Sequence, residues 1–143
     1  MDTIQLPLPQ PEDPPFNPVA HSRTRAQALA DGALIDVTET SKEVGFKVPV
    51  TISEALHNRM IPTKAEAAIG QDYDSRLWNV LWVAAFTIKL ADRGTDIVTF
   101  TFALQETDAQ SGLPQNTDLR LRIVCGSGDE GEPVVTIGFP EDY

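Results

Sequence analysis

The segment "GSGDEGEP" at residues 126–133 combines three glycines with three carboxylates, and both residue types can serve a binding site. Glycine-rich loops bind phosphate when backbone N–H groups converge on the anion, usually beside a lysine or a helix N-terminus. Here no basic residue follows Arg122, and Asp129, Glu130 and Glu132 would repel an anion. The sequence therefore argues against phosphate binding at this loop.

The same carboxylates suggest a second interpretation, a site for a hard cation. Calcium and magnesium favour carboxylate oxygens, so the loop together with Asp72 and Asp74 defines an alternative in which the protein is a metal-dependent enzyme. The loop departs from the known calcium-binding loop, because it lacks the regular ligand spacing and the terminal glutamate. We therefore predict no metal and no other cofactor.

The third interpretation of this loop is a turn between two antiparallel strands. In that turn Gly126, Gly128 and Gly131 adopt positive φ, and Pro133 opens the next strand. The turn would carry its acidic tip into solvent, where a partner can meet it. We favour this interpretation, and the three loop carboxylates are then the candidate partner-binding residues.

Nucleophilic catalysis finds little support in the sequence. The only histidines are His21 and His57, and Ser127 in "CGSGD" lacks the G-x-S-x-G pattern of a nucleophile elbow. Cys125, the only cysteine, occupies an inward position of a predicted strand, which favours a buried structural thiol over a reactive one. The sequence therefore predicts no catalytic residues.

Aromatic residues in "DSRLWNVLW" form the other candidate site. Trp78 and Trp82 are four residues apart, so on a helix they lie on one side and form either part of a core stripe or an aromatic shelf for a ligand. We favour the core stripe. Arg76 lies near the helix start, where the helix dipole disfavours a cation, so we expect it to pair with Asp72 or Asp74.

The helix that carries these tryptophans is the strongest in the sequence. Asp74 is the predicted N-cap, and apolar residues recur at helical spacing from Ser75 to about Ala91 in two adjacent stripes. An apolar arc of that width predicts a helix that is packed on two sides. The predicted structural core comprises Trp78, Leu81 and Trp82 of this helix with Phe100 and Phe102 of the strand that follows.

Shorter elements precede this helix. Thr24 and Gln27 form a T-x-x-Q capping box that predicts a helix ending at Asp31. "ALIDVT" reads as a strand, and "FKVPVTI" reads as extended chain with alternating apolar residues. Because Pro49 cannot donate to a strand ladder, we place that second segment on a sheet edge.

The last third of the chain changes from helical to strand periodicity. "DIVTFTFALQ", "TDLRLRIVC" and "PVVTIGF" each alternate apolar with polar residues, which predicts three antiparallel strands in a meander. The predicted fold class is α+β. The C-terminal meander, extended by one or two strands from residues 33–52, packs against the long tryptophan-containing helix.

Length and composition favour one domain preceded by a tail. The chain has 143 residues, and six of its eleven prolines lie in residues 1–22, where they prevent helix or ladder formation. We predict a disordered tail at residues 1–22 and a single domain at residues 23–143. A proline-rich ligand for a partner groove is the alternative for the tail.

The charge balance limits the classes of partner. Twenty-one acidic residues against eleven basic ones give a formal charge of −10, which disfavours direct nucleic-acid binding and favours a basic partner or simple solubility. A single cysteine and the absence of a long apolar run indicate a cytoplasmic protein that has no contact with a membrane.

Four sequence blocks in this order resemble an uncharacterised family of small proteins found on plasmids, integrating elements, phages and bacterial genomes. The blocks are "RAQALADGALIDVTET", "GFKVPV", "SRLWNVLW" and "GDEGEPVVTI", and they extend from about Arg25 to Ile137. The family carries no assigned activity, catalytic residues or cofactor. The resemblance therefore implies a mobile-element accessory protein rather than a particular chemistry.

These observations predict a non-enzymatic protein-binding module. Its expected partner is a host or element protein with a basic surface, and an anti-defence inhibitor that masks a nucleic-acid-binding site would fit this description. The alternatives are the metal-dependent enzyme described above and a purely structural role. The oligomeric state does not follow from the sequence.

Overall fold

The structure, a computed structural model, describes residues 24–91 and 94–142 and has an α+β fold. The helices are α1 (Arg25–Ala30), α2 (Thr38–Val44), α3 (Glu54–Met60), α4 (Lys64–Ala68) and α5 (Tyr73–Leu90). The strands are β1 (Leu34–Asp36), β2 (Val50–Ser53), β3 (Ile97–Thr107), β4 (Pro114–Ser127) and β5 (Pro133–Gly138), and a short 3₁₀-helix, Pro140–Asp142, follows β5. The predicted tail at residues 1–22, with His21, lies outside the described residues.

The five strands form one mixed sheet in the order β1-β2-β5-β4-β3. β3 pairs with β4 and β4 pairs with β5, both antiparallel, while β2 joins β5 in parallel and β1 pairs antiparallel with β2. The predicted α+β class is confirmed. The sheet combines the three C-terminal strands with two strands from residues 33–52, and β2 joins β5 through a parallel pairing that sequence periodicity does not reveal.

The prediction that "FKVPVTI" lies on a sheet edge is wrong. β2 lies between β1 and β5, and all four of its residues are buried. Pro49 immediately precedes the strand, so its missing N–H is not needed for the ladder. Its carbonyl oxygen instead accepts a hydrogen bond of 3.0 Å from the N–H of Val135.

The core lies between one face of the sheet and helices α3 and α5. Alternate residues of β3 and β4 point into it, with Phe100 opposite Leu121 and Phe102 opposite Leu119. Leu81, Phe100 and Phe102 are buried. The other side chains of this cluster with no exposed surface are Val50, Ile52, Leu56, Met60, Val80, Ala84, Leu121, Ile123 and Ile137.

The prediction that Trp78 and Trp82 belong to the core is wrong. Their exposed fractions are 38% and 50%, whereas Leu77, Val80 and Leu81 of the same helix are buried. The apolar arc of α5 is wide enough for two packed sides, but the sheet covers only one of them. The tryptophans lie on the remaining part of the arc.

The helix boundaries follow local hydrogen bonding. The capping box of Thr24 and Gln27 is present at α1, as the sequence predicts. α5 begins two residues earlier than predicted, because Asp72 rather than Asp74 is its N-cap. The Asp72 carboxylate accepts a hydrogen bond of 2.7 Å from the N–H of Ser75, which satisfies a donor that the first turn leaves free.

Candidate functional site

Asp129 in the acidic loop is a structural residue. Its two carboxylate oxygens accept hydrogen bonds of 2.8 and 3.0 Å from the N–H groups of Arg25 and Ala26. These donors belong to the first turn of α1, so Asp129 caps that helix from a distant part of the chain. The same N–H groups, with the charge of Arg25, hold the pKa of Asp129 below its usual range.

The rest of the acidic loop is closed by its own backbone. The Glu132 carboxylate accepts a hydrogen bond of 3.0 Å from the N–H of Glu130. The N–H of Gly128 donates a hydrogen bond of 2.6 Å to the Glu132 carbonyl. Of the three glycines predicted to have positive φ, only Gly131 does, at 83°, while Gly126 continues β4. The loop is a turn, and Glu130 is its exposed carboxylate that makes no side-chain hydrogen bond to the described residues.

The chemical groups considered for catalysis are dispersed. Within residues 24–91 and 94–142, no three His, Cys, Asp or Glu side chains are close enough to hold a metal ion. His57 Nδ1 is 2.6 Å from the hydroxyl of Tyr73 in a recess of about 260 Å³, and burial, assisted by Asp74, raises the pKa of Tyr73 to about 12. Burial likewise raises the pKa of the half-buried Cys125 thiol, with a smaller effect from Asp96, which disfavours the reactive thiolate.

Arg76 makes a buried polar cluster with groups from three other elements. Its guanidinium donates hydrogen bonds of 3.2 Å to the Met60 carbonyl and 2.8 Å to the Gln105 carbonyl. It also lies 3.3 Å from the Glu66 carboxylate. The Glu66 carboxylate in turn accepts a hydrogen bond of 2.7 Å from the N–H of Thr107. The prediction that Arg76 pairs with Asp72 or Asp74 is therefore wrong, since the side chain turns inward toward β3.

The free edge of β3 is open over most of its length. The carbonyl of Asp96 accepts a hydrogen bond of 2.8 Å from the N–H of Cys125. The even-numbered residues of β3 therefore exchange backbone hydrogen bonds with β4, and the backbone N–H and C=O groups of the odd-numbered residues point away from β4. At the odd positions 105 and 107, the outward backbone groups are already bonded to Arg76 and Glu66. Among the described residues, no hydrogen bond reaches the outward backbone groups of Ile97, Thr99, Thr101 and Ala103.

An exposed aromatic stripe runs along α5, and one of its members, Trp82, lies beside residues 102–105 of β3. It comprises Trp78, Trp82, Phe86 and Leu90, whose exposed fractions are 38%, 50%, 51% and 71%. The rings of Trp82 and Phe86 stack in parallel with centroids 5.8 Å apart. A contiguous row of large exposed apolar side chains marks an interaction surface more often than isolated ones do. Among the described residues, no helix is both long and apolar enough to cross a membrane.

A groove of about 520 Å³ separates the stripe from the strand edge. Its helix wall includes Asn79, Trp82 and Val83, and its strand wall is the run from Phe102 to Gln105. Trp82 thus belongs to both the stripe and the groove. We use the term α5–β3 surface for Trp82, Phe86 and Leu90 together with the open edge at residues 97–103.

Sequence reasoning missed this surface, although it singled out Trp82 as a ligand shelf or core residue. A signal was available in the absence of charge. No charged residue occurs from Leu77 to Ile88 or from Ile97 to Gln105, in a chain with 32 charged residues. Strand edges that remain exposed usually carry lysine or proline to prevent further pairing, and β3 has neither between its ends.

The match to a known family covers most of the chain. Residues 17–143 match the family of unknown function DUF6573. The chain belongs to this family. The DUF6573 description names no activity, so it supplies no residue roles for the α5–β3 surface. Comparison with curated proteins and with solved structures finds no match.

Proposed function

We propose that the protein is a non-enzymatic binding module that takes up an extended polypeptide segment as an additional strand at β3. The observation that carries the proposal is the row of four outward backbone positions, at residues 97–103, beside the exposed aromatic side chains of α5. Strand addition of this kind uses main-chain hydrogen bonds for affinity and side-chain pockets for specificity.

The strand edge and the exposed aromatic side chains of the α5–β3 surface supply different parts of the binding energy. The outward N–H and C=O groups of Thr99 and Thr101 can each pair with the backbone of an added strand. Trp82 and Phe86, each about half exposed, can bury their remaining surface against its side chains. Aromatic side chains dominate interface energetics because each buries a large area at low conformational cost.

The test uses a display library of random nine-residue peptides selected on the intact chain. Binding peptides should bind far more weakly to the variant Thr101→Pro, because proline removes an outward N–H while leaving the β3–β4 hydrogen bonds intact. Bound peptide should also slow amide hydrogen exchange at Thr99 and Thr101. If selected peptides bind Thr101→Pro as they bind the original chain, strand addition is not the mode of recognition.

The net charge supports a second candidate function. A formal charge of −10 favours a basic partner, and the module would then act in the cytoplasm as a mobile-element protein that masks a nucleic-acid-binding surface of a defence complex. Within the acidic loop, Glu130 and Glu132 are the residues to neutralise, because changing Asp129 also removes the cap of α1. Binding to a basic protein that neither falls as salt rises nor weakens in Glu130→Gln/Glu132→Gln would exclude this role for the loop.

A further inference from the structure

We propose that the polypeptide added to β3 is β3 of a second copy of this chain, so that the protein is a two-fold symmetric dimer with a continuous ten-stranded sheet. The inference rests on the proposed function, since it names the occupant of the same surface. Two-fold dimers use one self-complementary patch twice, and the open edge of β3 has the symmetry that such a contact requires.

The backbone of the open edge matches itself in one register. An antiparallel pairing with the two-fold axis at Phe100 places Ile97 opposite Ala103 of the second copy and Thr99 opposite Thr101. All four outward positions of each copy then form hydrogen-bonded pairs. A register that also used Gln105 would compete with Arg76, which already donates to the Gln105 carbonyl.

The side chains on the helical face are compatible with the same axis. Phe100 would lie opposite Phe100 of the second copy, since both point toward the α5 side of the sheet. Arg76 contacts Gln105, and α5 leads back to the start of β3, so the helix runs antiparallel to the strand. From Gln105 to Phe100 the strand advances about 17 Å at about 3.4 Å per residue, which α5 covers in about eleven residues.

That length of helix places Phe86 near the two-fold axis. The two copies of α5 then lie side by side and antiparallel on one face of the sheet, with Phe86 opposite Phe86. Trp82 and Leu90, four residues to either side, face each other across the axis. The exposed stripe of one copy is thereby covered by that of the other, which accounts for its position beside an open edge.

Charge favours a second copy at this surface. Two chains that each carry −10 repel one another, and the repulsion is smallest where neither presents a charged side chain. The segments from Leu77 to Ile88 and from Ile97 to Gln105 contain no charged residue. The α5–β3 surface is therefore a part of the described structure where two copies can approach without placing acid against acid.

The exposed area is consistent with a stable dimer contact. With side chains of roughly 150–250 Å², the exposed fractions of Trp82, Phe86 and Leu90 amount to on the order of 300 Å². A standard interface buries about 800 Å² on each partner. The seven-residue strand edge and the groove walls contribute further area.

The experiment measures the mass of the full chain in solution by sedimentation equilibrium over a concentration series. The original chain is expected at twice 15.6 kDa at tens of micromolar. Phe86→Glu, which places two like charges at the axis, and Thr101→Pro, which interrupts the edge, should each raise the dimer dissociation constant at least tenfold. Leu113→Glu is the matched control, because Leu113 is exposed to a similar degree, at 63%, and lies in the β3–β4 turn. Its mass should equal that of the original chain.

Each outcome is decisive for one of the two proposals. A monomer at every concentration overturns the dimer, as does a dimer that both variants leave intact while circular dichroism shows them folded. If the chain is monomeric and library peptides still bind it but not Thr101→Pro, strand addition stands and the occupant is another protein. If the chain dimerises through β3 but no library peptide binds, the surface is specific for itself.

Discussion

Replacing Arg76 by methionine should destabilise the protein strongly, because Arg76 is one of two charged residues in a buried polar cluster. Arg76 is 7% exposed and Glu66 is 4% exposed, so both charges are removed from water. The substitution keeps an apolar stem of similar length but leaves the Met60 and Gln105 carbonyls without their donor. It also leaves the Glu66 carboxylate without a cation.

The expected magnitude follows from these lost contacts. Removing one partner of a buried ion pair costs about 3–5 kcal/mol, because the remaining charge stays buried and uncompensated. The matched control is Arg59→Met. Arg59 also pairs with a carboxylate, that of Glu106, at 2.5 Å, but its side chain is 36% exposed and water can replace it. The control should cost about 1–2 kcal/mol.

Urea unfolding at pH 7, followed by tryptophan fluorescence, measures both values. The midpoint should fall much further for Arg76→Met than for Arg59→Met with little change in the slope, since neither change alters the surface exposed on unfolding. For each variant, the change in the free energy of unfolding is then the common slope multiplied by the shift in the urea midpoint. Equal costs for the two variants would show that Arg76 is not a buried charge in the folded protein.

The dependence of this cost on pH distinguishes charge from packing. Burial acts to raise the pKa of Glu66, but the N–H groups of Thr63 and Thr107 together with Arg76 bring it below its ordinary value of 4.5. Without Arg76 the pKa of Glu66 rises, so the variant loses stability at neutral pH, where the buried Glu66 carboxylate is ionised. The difference in stability should therefore shrink as the pH falls below 4.5 and Glu66 becomes protonated. A difference that stays constant between pH 7 and pH 3 would contradict the electrostatic explanation.

Three further predictions concern single side chains. Hydrogen bonding to Arg59 outweighs burial and lowers the pKa of Glu106 to about 2 from 4.5, so its stabilisation is complete above pH 4.5 and is lost toward pH 2. Glu106→Gln should cost about 1–2 kcal/mol at pH 7, and a pH series of urea midpoints should show that cost vanish across this range. Asp129→Asn should lower the thermal midpoint whereas Glu130→Gln should not, because only Asp129 caps α1, and a calorimetric scan that shows equal effects would remove that cap from the account. Trp82→Ala should cost less than about 2 kcal/mol in urea unfolding of the monomer, well below the value for a core tryptophan, because half of the side chain is exposed in the single chain.

The sequence predicted those parts of the fold that depend on neighbouring residues. The capping box at Thr24 and Gln27 requires only side chains three residues apart, and it is present. The period-two pattern likewise located β3 and β4, whose pairing is antiparallel and joined by one turn. Local patterns identify such elements because the forces that form them act within a few residues.

Parts that depend on distant residues were not predictable. β2 pairs with β5 across more than eighty residues, and nothing near Pro49 indicates that a parallel partner follows. Asp129 caps α1 across more than a hundred residues, so its local neighbours made it look like a free acidic tip. Arg76 turned inward for the same reason, since its partners at Met60 and Gln105 come from other elements.

The tryptophans illustrate the limit most directly. Helical spacing shows that Trp78 and Trp82 share an apolar arc with Leu81, but it does not show how much of the arc the sheet covers. The candidate site arose from the uncovered part. Its signal in the sequence was the absence of charge across the helix and the strand, and that signal gains meaning only when the topology places β3 on the edge.

Stability and surface chemistry together support the proposal that the α5–β3 surface binds a partner. Trp82 and Phe86 are half exposed, so they contribute less to folding than the buried residues of the same helix. Exposed aromatic side chains beside an unprotected strand edge also promote uncontrolled association. Such a surface therefore makes the free chain prone to association. The Glu66–Arg76 contacts close the edge at residues 105 and 107 and leave residues 97–103 open, which limits an added strand to that seven-residue segment. In the proposed dimer, a second copy of the chain would cover the exposed aromatic side chains and pair with all four open positions.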